Sequence, residues 1–510
     1  MRKNYVLRLA TFTLILALLV GTGSVSAYGY EEELHFTHDQ SLDSLDLEEE
    51  TTNDEQSSNS LTLEFIEEID NVKENIFNNM LDSVDFYDAV EGEFITTLWD
   101  DPEDENHSEN SATTISYVSN IPAQESYQMI SENGEIATTE VYVTEGKQYT
   151  FNNLTRSYRI DDIGVLDVTS EREKKDANIC LQAATGRQTS ISSRIGSKDG
   201  APVYRYRNDL TNTNYAAVSL FPQTLTFGLL TNQEDWEIIG TDTYIDRDAI
   251  TIQGVVSDPV YSAKINSVTF TLTVDVETGI ILEFVGYDAD GNETESIKTT
   301  EISIIQDASV NRNNLTGFIS EALENYDGYT EERRNHEWIP IDDSAENTVE
   351  LTATRGDSIS CLIDNDTIDS DYYNERYGFL AYLNDSNYYN EDMRRTYSDE
   401  GDDGYCWYTE SPLDHESRDD IDVDLDIYLY SSTSRDPAAN YYLDSMGDVT
   451  IVGKRVCVFD QSTSPNGWNS FSRSVFYGFP GEVWGISIYP SGSGSTYTGA
   501  DAVDFYAEIS

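Results

Sequence analysis

The clearest alternation of apolar and polar positions lies between Asn266 and Ile305. Its first strand has an apolar residue at every second position, namely Val268, Phe270, Leu272, Val274 and Val276. A period of two puts these side chains on one face of a β-strand. The following Glu277-Thr278-Gly279 breaks the pattern, and the glycine can take the positive φ that a tight hairpin needs.

A second strand continues the alternation at Ile280, Leu282 and Phe284. The segment 288–292, with the sequence DADGN, predicts another turn, and Ser296 to Ile305 predicts a third strand. The whole stretch is therefore predicted to be an antiparallel meander with one apolar face, which requires a cover.

An amphipathic helix is predicted from Leu61 to Val84. Its apolar residues recur at helical spacing and are Phe65, Ile69, Val72, Ile76, Met80 and Val84. Such a helix needs a partner surface for its apolar stripe.

Between this helix and the meander, the chain predicts many short strands. Ile250 and Ile252 alternate with polar residues and share one face of their strand. The pattern is weaker between Val168 and Pro222, and the segment Leu220 to Leu230 predicts a short helix.

The C-terminal third has a different pattern. Residues 308–348 are predicted to be a connector, and residues 349–510 a second, all-β domain rich in Asp and Tyr. Its strands include Asp420 to Tyr430, Val449 to Phe459 and Glu482 to Tyr489. Bulky aromatic residues are expected to fill its core, among them Trp407, Trp468 and Trp484.

The N-terminus resembles an export signal. A basic start is followed by a short apolar run from Ala10 to Val20 and by the small-residue ending Val25-Ser26-Ala27. We expect a signal peptide at residues 1–27 with cleavage after Ala27, the alternative being an uncleaved membrane anchor. Residues 28–60 are acidic and aperiodic and predict a disordered spacer. The mature chain is then secreted or held in the cell envelope, and it is not an integral membrane protein.

Charge narrows the range of partners. The chain has 30 basic and 95 acidic residues, a formal net charge of −65. Nucleic acid is excluded as a partner, because phosphate contacts need clusters of Lys and Arg. Such acidity is typical of halophilic or alkaliphilic proteins, since salt screens the self-repulsion; it is also what a generally acidic set of secreted proteins would show.

The cysteines are Cys180, Cys361, Cys406 and Cys457. Disulfides are expected in an oxidising compartment, and four paired cysteines allow three connectivities. We favour a pairing of Cys361 with Cys406, and Cys180 is the candidate to remain unpaired.

A row of aspartates alternates with apolar residues in the C-terminal part and consists of Asp420, Asp422, Asp424 and Asp426. In a strand these four carboxylates share one face and repel one another. The row predicts either a calcium site, completed by acidic residues of nearby loops, or a solvated face screened by salt. No other cofactor is expected.

Several segments carry a family resemblance. They are VDFYDAVEGEF, FPQTLTF, Trp236 to Gly240, Arg247 to Ile250, and the run TLTVDVETGIILEFVGYDADGNETESIKTTEISI. Together they resemble the outer-membrane lipoprotein carrier and sigma-factor regulator superfamily (LolA/RseB-like), in the divergent form of Gram-positive exported proteins, over residues 60 to 307. The matched motifs are turns and core positions and not catalytic residues.

The resemblance implies a mainly β (α+β) fold, in which a strongly curved antiparallel sheet forms an unclosed barrel with helices on its concave side. The carrier-like domain would span residues 61–307. Members of the superfamily bind acyl chains or lipoproteins in the concave face, or sense them during envelope signalling.

The function predicted from the sequence is non-catalytic binding of an acyl chain or a lipoprotein. The lining residues would be Val268, Phe270, Leu272, Ile280, Leu282, Phe284, Ile250 and Ile252. The same residues would be ordinary core if the helix fills the concavity completely. Two further hypotheses are an envelope sensor that binds another protein and a hydrolase that uses acidic pairs in residues 349–510.

Overall fold

The computed structural model describes residues 72–98, 112–132, 137–168, 194–198, 200–306, 326 and 328–331. In the C-terminal part it describes 358–364, 373–375, 381–384, 392–397, 405–410, 420–431, 434, 436–446, 451–476, 483–489, 497–500 and 502–509. C-terminal side chains are described at 423–431, 434, 436–443, 455–472, 486–489, 498–499 and 502–506. The signal peptide, the acidic spacer and the first residues of the predicted helix lie outside these ranges.

The first described elements are helix α1, whose described residues are 72–81, and a 3-10 turn at Ser83–Asp85. Eight strands follow: β1 Ala89–Thr96, β2 Thr113–Asn120, β3 Glu125–Glu132, β4 Thr139–Thr144, β5 Lys147–Asn152, β6 Ser157–Asp162, β7 Ile195–Lys198 and β8 Ala201–Arg205. Next come α2 Ala217–Leu220, α3 Gln223–Leu230, β9 Trp236–Tyr244, β10 Arg247–Val255, α4 Pro259–Lys264, β11 Thr269–Asp275, β12 Ile281–Tyr287, β13 Glu293–Ile305 and β14 Thr330–Glu331.

The described C-terminal strands are β15 Ser358–Asp364, β16 Tyr373–Glu375, β17 Ala381–Asn384, β18 Asp392–Tyr397, β19 Tyr405–Glu410 and β20 Asp420–Leu429. They continue with β21 Ala439–Met446, β22 Ile451–Phe459, β23 Gly467–Phe476, β24 Val483–Tyr489, β25 Tyr497–Ala500 and β26 Ala502–Ile509.

One large sheet organises the N-terminal part. Its described strands follow the order β14-β6-β5-β4-β3-β2-β1-β13-β12-β11-β10-β9. All neighbours are antiparallel except β14, which runs parallel to β6. The order ends at two strands that do not pair with each other in the described part, so the sheet is not closed into a barrel. The predicted fold class is confirmed: a large, open antiparallel sheet with a packed N-terminal helix, followed by a second β-rich part.

The meander predicted from the alternation is present as β11, β12 and β13. Gly279 lies in the first turn with φ +74°. In the second turn the Asp288 carboxylate accepts hydrogen bonds from the backbone N–H groups of Asp290 and Asn292 and from the Asn292 side chain. These bonds lower the pKa of Asp288. The DADGN segment is thus a hairpin turn built on an aspartate.

The C-terminal part contains three smaller sheets. Their described orders are β15-β26-β20-β23-β8-β7, β16-β19-β24-β21-β22 and β17-β18-β25. The first includes the hairpin β7–β8 from the N-terminal half, in which Val203 pairs with Trp468 in a parallel register. The connector at 308–348 and the domain boundaries stay predictions, and strands from both sides of that connector share a sheet.

The described residues belong to one compact unit, Ile69–Ser510. Trp468 is fully buried, as expected for a core residue of the C-terminal part; the side chains of Trp407 and Trp484 lie outside the described set. Cys457 is buried, and the predicted Cys361–Cys406 pairing falls on side chains outside that set. No described helix is both long enough and apolar enough to cross a bilayer.

Candidate functional site

The predicted apolar face of the meander lies in the core. Six of the predicted lining residues are fully buried, namely Ile252, Phe270, Leu272, Ile280, Leu282 and Phe284. Strand pairing sets Ile252 opposite Leu272 and Leu272 opposite Phe284. Ile250 is half-buried and packs against the same hydrophobic cluster. Seven of the predicted residues therefore come together on one side of the sheet.

Val268 is the exception. It precedes β11 and has 40% of its surface exposed. Its backbone still forms hydrogen bonds to the chain on both sides. The Val268 N–H donates to the Tyr287 carbonyl, and the Val256 N–H donates to the Val268 carbonyl. The alternation in the sequence thus continues past the area that the helices cover, and Val268 lies at the rim of the sheet.

The cover of this face consists of short helices. From α1, Phe77, Met80 and Leu81 are fully buried in the cluster that contains the sheet residues. From α3, Phe227 packs edge-on against Phe77, with ring centroids 6.1 Å apart. The sequence indicated Met80 as part of the apolar stripe but missed Phe77, and Val72, also assigned to the stripe, is exposed.

The turn at Gly279 is in close contact with α1. A Cβ at Gly279 would lie 2.4 Å from the carbonyl carbon and oxygen of Asn79 and 2.6 Å from the Met80 nitrogen. Only a glycine fits here, since real Cβ atoms essentially never approach backbone so closely. The helix is therefore seated directly on the first turn of the meander.

A few polar contacts join the helices to the sheet and to one another. The Ser83 hydroxyl donates to the Leu220 carbonyl at 2.6 Å, and the Ser219 hydroxyl donates to the Ile281 carbonyl at 2.8 Å. The Lys73 ammonium donates a hydrogen bond to the Trp236 backbone carbonyl at 2.6 Å. The same ammonium lies 4.7 Å from the centroid of the Trp236 ring. These bonds fix the ends of α1 and α2 at the margin of the apolar layer.

A buried ionic cluster lies at the end of α1. Arg207 contacts Asp82 at 2.9 Å and Asp85 at 2.6 Å, and Arg194 contacts Asp82 at 3.2 Å. Burial lowers the pKa of Arg207, but the hydrogen bonds and charges of the two aspartates raise it overall. The described ion pairs tie the helix end to the segment that follows β8.

A polar loop at residues 460–466 lies against α3 and α4. The Tyr261 hydroxyl donates a hydrogen bond to the Thr463 backbone carbonyl at 3.0 Å. The Lys264 ammonium donates one to the Ser464 backbone carbonyl, also at 3.0 Å. The Thr463 hydroxyl is 2.6 Å from the Thr224 hydroxyl. The C-terminal part thus contacts these helices through hydrogen bonds, and it also shares one hydrophobic cluster with them, in which Tyr206 packs against both Phe227 of α3 and Phe471 of β23.

The aspartate row is only partly described. The side chains of Asp420 and Asp422 lie outside the described set, whereas Asp424 is exposed and accepts a hydrogen bond from Ser472. Asp426 lies opposite Asp504 of β26, and Lys198 of β7 pairs with both carboxylates. The Lys198 ammonium also lies 4.0 Å from the centroid of the Trp468 ring.

Within the described residues, no group of three or more His, Cys, Asp or Glu side chains is arranged to hold a metal ion. At Asp426, the last residue of the row, Lys198 from the N-terminal half offsets part of the negative charge. Calcium binding by the full row stays a prediction.

A second cluster of side chains, which we call the aromatic cluster, was missed at the level of sequence. It contains Tyr127, Tyr142, Phe151 and Tyr326, together with partly buried aromatic neighbours. The Glu140 carboxylate is buried at its centre and accepts hydrogen bonds from Tyr142 at 2.8 Å and from Tyr326. The signal in the sequence was the density of tyrosines along β3 to β6, but the partner Tyr326 is too distant to be inferred from a local pattern.

The geometry defines a class of protein: a large open sheet whose apolar face is covered by short helices, with a second β-rich part packed on the helices. No family model matches the chain, and no curated protein matches it.

Solved structures of similar shape include the MucA/MucB complex of Pseudomonas aeruginosa, which is 10% identical, with 84% of this chain and 98% of that chain covered and a TM-score of 0.25. They also include the lipoprotein LppX of Mycobacterium tuberculosis, which is 11% identical, with 47% of this chain and all of that chain covered and a TM-score of 0.23. A LolA superfamily protein from Nitrosomonas europaea is 8% identical, with 45% and 93% covered and a TM-score of 0.15. These neighbours are LolA/RseB-like, the superfamily that the sequence resembles; at such scores the likeness transfers no function.

Proposed function

We propose that this chain is an exported, non-catalytic binding protein of the cell envelope that holds an acyl chain, free or as part of a lipoprotein, between the large sheet and helix α1. The observation that carries the proposal is the single apolar layer in which Phe270, Leu272 and Leu282 of the sheet meet Phe77 and Met80 of the helix. Each acyl methylene that enters such a layer contributes about 0.8 kcal/mol.

The described arrangement is the closed form in this proposal, because the lining residues are fully buried. Opening requires the helices to move off the sheet. α2 and α3 have four and eight residues. Helices shorter than about 12 residues are marginal by themselves. Their position therefore depends on side-chain packing and on bonds such as that from Ser83 to Leu220, which a bound apolar chain can replace by contacts of its own.

The proposed location rests on the signal-like N-terminal sequence. We propose cleavage of the signal peptide after Ala27, so that the mature protein starts at Tyr28. A mass spectrum of the protein recovered from the culture medium or the cell wall checks both the cleavage site and the compartment. A species retaining Met1 in the membrane fraction would contradict both.

Lipid extraction and mass spectrometry of the purified mature protein test the ligand. We expect acyl species to co-purify, and we expect the stripped protein to bind the fluorescent fatty acid cis-parinaric acid. Absence of co-purified lipid together with absence of probe binding would refute the acyl proposal.

A pair of matched variants locates the probe. Leu282→Ala opens a cavity in the apolar layer, and Leu425→Ala opens one in β20 of the C-terminal part; both leucines are fully buried. Each substitution is expected to lower the free energy of unfolding by about 2–5 kcal/mol. Leu282→Ala is expected to change the affinity for cis-parinaric acid more than Leu425→Ala does, because Leu282 lies in the meander that would line the proposed ligand. An equal change in both variants would contradict the location.

A further inference from the structure

The Tyr117 hydroxyl is a polar group inside the apolar layer. Tyr117 lies in the middle of β2 and is 1% exposed, and it belongs to the hydrophobic cluster that contains the sheet and helix residues of the layer. Its hydroxyl is buried and forms no hydrogen bond with any described residue. A hydroxyl buried without a partner is destabilising, so its presence in the core requires an explanation.

Neighbouring strands place the Tyr117 ring on the covered side of the sheet. Strand pairing sets Gly92 of β1 on one side of Tyr117 and Gln128 of β3 on the other. The Gln128 side-chain carbonyl accepts a hydrogen bond at 3.1 Å from the backbone N–H of Ala216, which directly precedes α2. Because residues paired across strands share a face, Tyr117 lies on the face that the short helices cover.

A glycine makes room for the hydroxyl. A Cβ at Gly92 would lie 2.7 Å from the Tyr117 hydroxyl oxygen and 2.3 Å from the Glu301 carbonyl oxygen. The tyrosine ring therefore extends over β1, where its centroid lies 6.0 Å from that of the Phe94 ring. Strand β2 is three strand spacings, about 14 Å, from the β12 strand that carries Leu282. An acyl chain that runs across the layer from β12 toward β2 thus reaches this hydroxyl.

The surroundings of the hydroxyl keep it a hydrogen-bond donor and disfavour an anion. Burial raises the pKa of the Tyr117 phenol, and the charges of Glu301 and Glu91 raise it further. The phenol therefore keeps its proton. The two glutamates that disfavour a phenolate also disfavour any other negative charge at this position. A neutral oxygen acceptor matches these surroundings better than a carboxylate does.

We propose that Tyr117 is a specificity-determining residue of the acyl site, whose hydroxyl donates a hydrogen bond to the carbonyl oxygen of an esterified acyl chain, so that the protein takes up neutral acyl esters in preference to free fatty acids. This inference rests on the acyl-binding function proposed above and narrows its ligand to an ester. An ester carbonyl that leaves water loses its hydrogen bonds, and the Tyr117 hydroxyl replaces one of them inside the layer.

The test uses the full mature chain, stripped of lipid, and two probes that differ only at the head group: cis-parinaric acid and its methyl ester. Fluorescence titration at about pH 8 keeps the acid ionised. We expect the wild type to bind the ester about tenfold more tightly than the acid, because the carboxylate has to lose its hydration beside two glutamates. Tyr117→Phe removes only the hydroxyl and should bind the ester about threefold to tenfold more weakly, with its affinity for the acid unchanged.

A matched tyrosine controls for the loss of a buried hydroxyl. Tyr142 is almost fully buried too, but its hydroxyl donates to Glu140 at 2.8 Å. It follows Val141 of the main cluster along β4 and therefore points to the other face of the sheet. Tyr142→Phe is expected to lower the melting temperature and to leave both probe affinities unchanged. Tyr117→Phe is expected to melt at the wild-type temperature or above it, because no hydrogen bond of the lipid-free protein is lost.

The outcomes separate this inference from the proposed function. If neither probe binds the wild type, the acyl-binding function fails and the inference fails with it. If both probes bind but Tyr117→Phe keeps the wild-type affinity for the ester, acyl binding stands and the role of Tyr117 is overturned. Equal losses for the ester and the acid in Tyr117→Phe would also overturn it, since they indicate a general effect on the layer.

Natural esters can then be compared as competitors of the bound methyl ester. Displacement by a diacylated lipopeptide or by dipalmitoylglycerol supports the ester assignment and shows which source of the ester the site accepts. Displacement by neither compound would overturn the assignment.

Discussion

Replacing Gly279 by alanine tests how closely helix α1 is held against the meander. The new methyl group meets the backbone of Asn79 and Met80 at 2.4–2.6 Å, where ordinary contacts are 3.4–4 Å. Because the obstructing atoms are backbone atoms, no change of rotamer can relieve the clash. Either the helix or the turn has to move by about 1 Å.

A second glycine of the same meander isolates this contact. Gly291 has φ +82°, similar to the +74° of Gly279, but no atom lies within 4 Å of the position that a methyl group would take there. Alanine in the left-handed region costs about 1–2 kcal/mol at either site. The clash at Gly279 adds the cost of overpacking, about 1–3 kcal/mol. Gly279→Ala is therefore expected to be less stable than Gly291→Ala by about 1–3 kcal/mol.

Thermal and urea unfolding of the two variants measure this difference. For a chain of this size, about 1 °C of melting temperature corresponds to 1 kcal/mol, so the two variants should differ by about 1–3 °C. Tryptophan fluorescence offers a local readout, since Trp236 is buried and contacts Lys73 of α1. In the acyl-binding proposal, Gly279→Ala also takes up cis-parinaric acid faster, because the cover is pushed off the sheet.

Equal stability of Gly279→Ala and Gly291→Ala would refute the reasoning. It would mean that α1 does not lie on the turn in solution, and the closed apolar layer would lose its basis. If the two variants differ in stability but take up the probe at the same rate, the contact between α1 and the turn is supported. The proposal that this contact controls ligand entry is then contradicted.

Three further predictions concern charge. Burial and the charge of Glu301 raise the pKa of Glu91 above its ordinary value of 4.5, so the folded state binds the proton more strongly and wild-type stability falls as the pH rises above that value. Glu91→Gln should therefore gain stability relative to the wild type as the pH rises above 4.5. A difference that does not depend on pH would contradict this. Lys198→Met leaves the opposed carboxylates of Asp426 and Asp504 without their shared cation. It should lower the melting temperature more in dilute buffer than in molar salt, because salt screens the repulsion. An equal loss of melting temperature in both buffers would exclude a mainly electrostatic role for Lys198. If the aspartate row of β20 binds calcium, EGTA should lower the melting temperature and added calcium should restore it. An unchanged melting temperature in both low and high salt would rule out the calcium site.

The parts of the fold that could be predicted from sequence are those with strict local periodicity. The strands of the meander follow directly from alternation, and the turns at Gly279 and Asp288 follow from residues suited to positive φ or to side-chain capping. Alternation does not show where the cover ends, which is why Val268 was included among the lining residues. Nor can it distinguish a ligand-lined face from a helix-lined one, since both require the same apolar residues.

The parts that could not be predicted depend on contacts between distant segments. The hairpin β7–β8, with the short strands Ile195–Lys198 and Ala201–Arg205, has little alternation, and pairing with β23 places it in a sheet. The loop 460–466 is polar and would be expected at the surface, yet Thr463 and Ser464 are fully buried. Their burial is possible because Tyr261 and Lys264 satisfy their carbonyl oxygens.

The pairing of β8 with β23 has a consequence for the order in which the protein is assembled. A chain that emerges from its N-terminus presents β7 and β8 long before β23 exists to pair with them. During that interval, the edge of β8 that later pairs with β23 is exposed and can pair with other chains. A nascent or truncated molecule that stops before Gly467 should therefore aggregate or require a holding chaperone. The C-terminal half thus supplies the strand that covers the exposed edge of β8, and this strand is synthesised late.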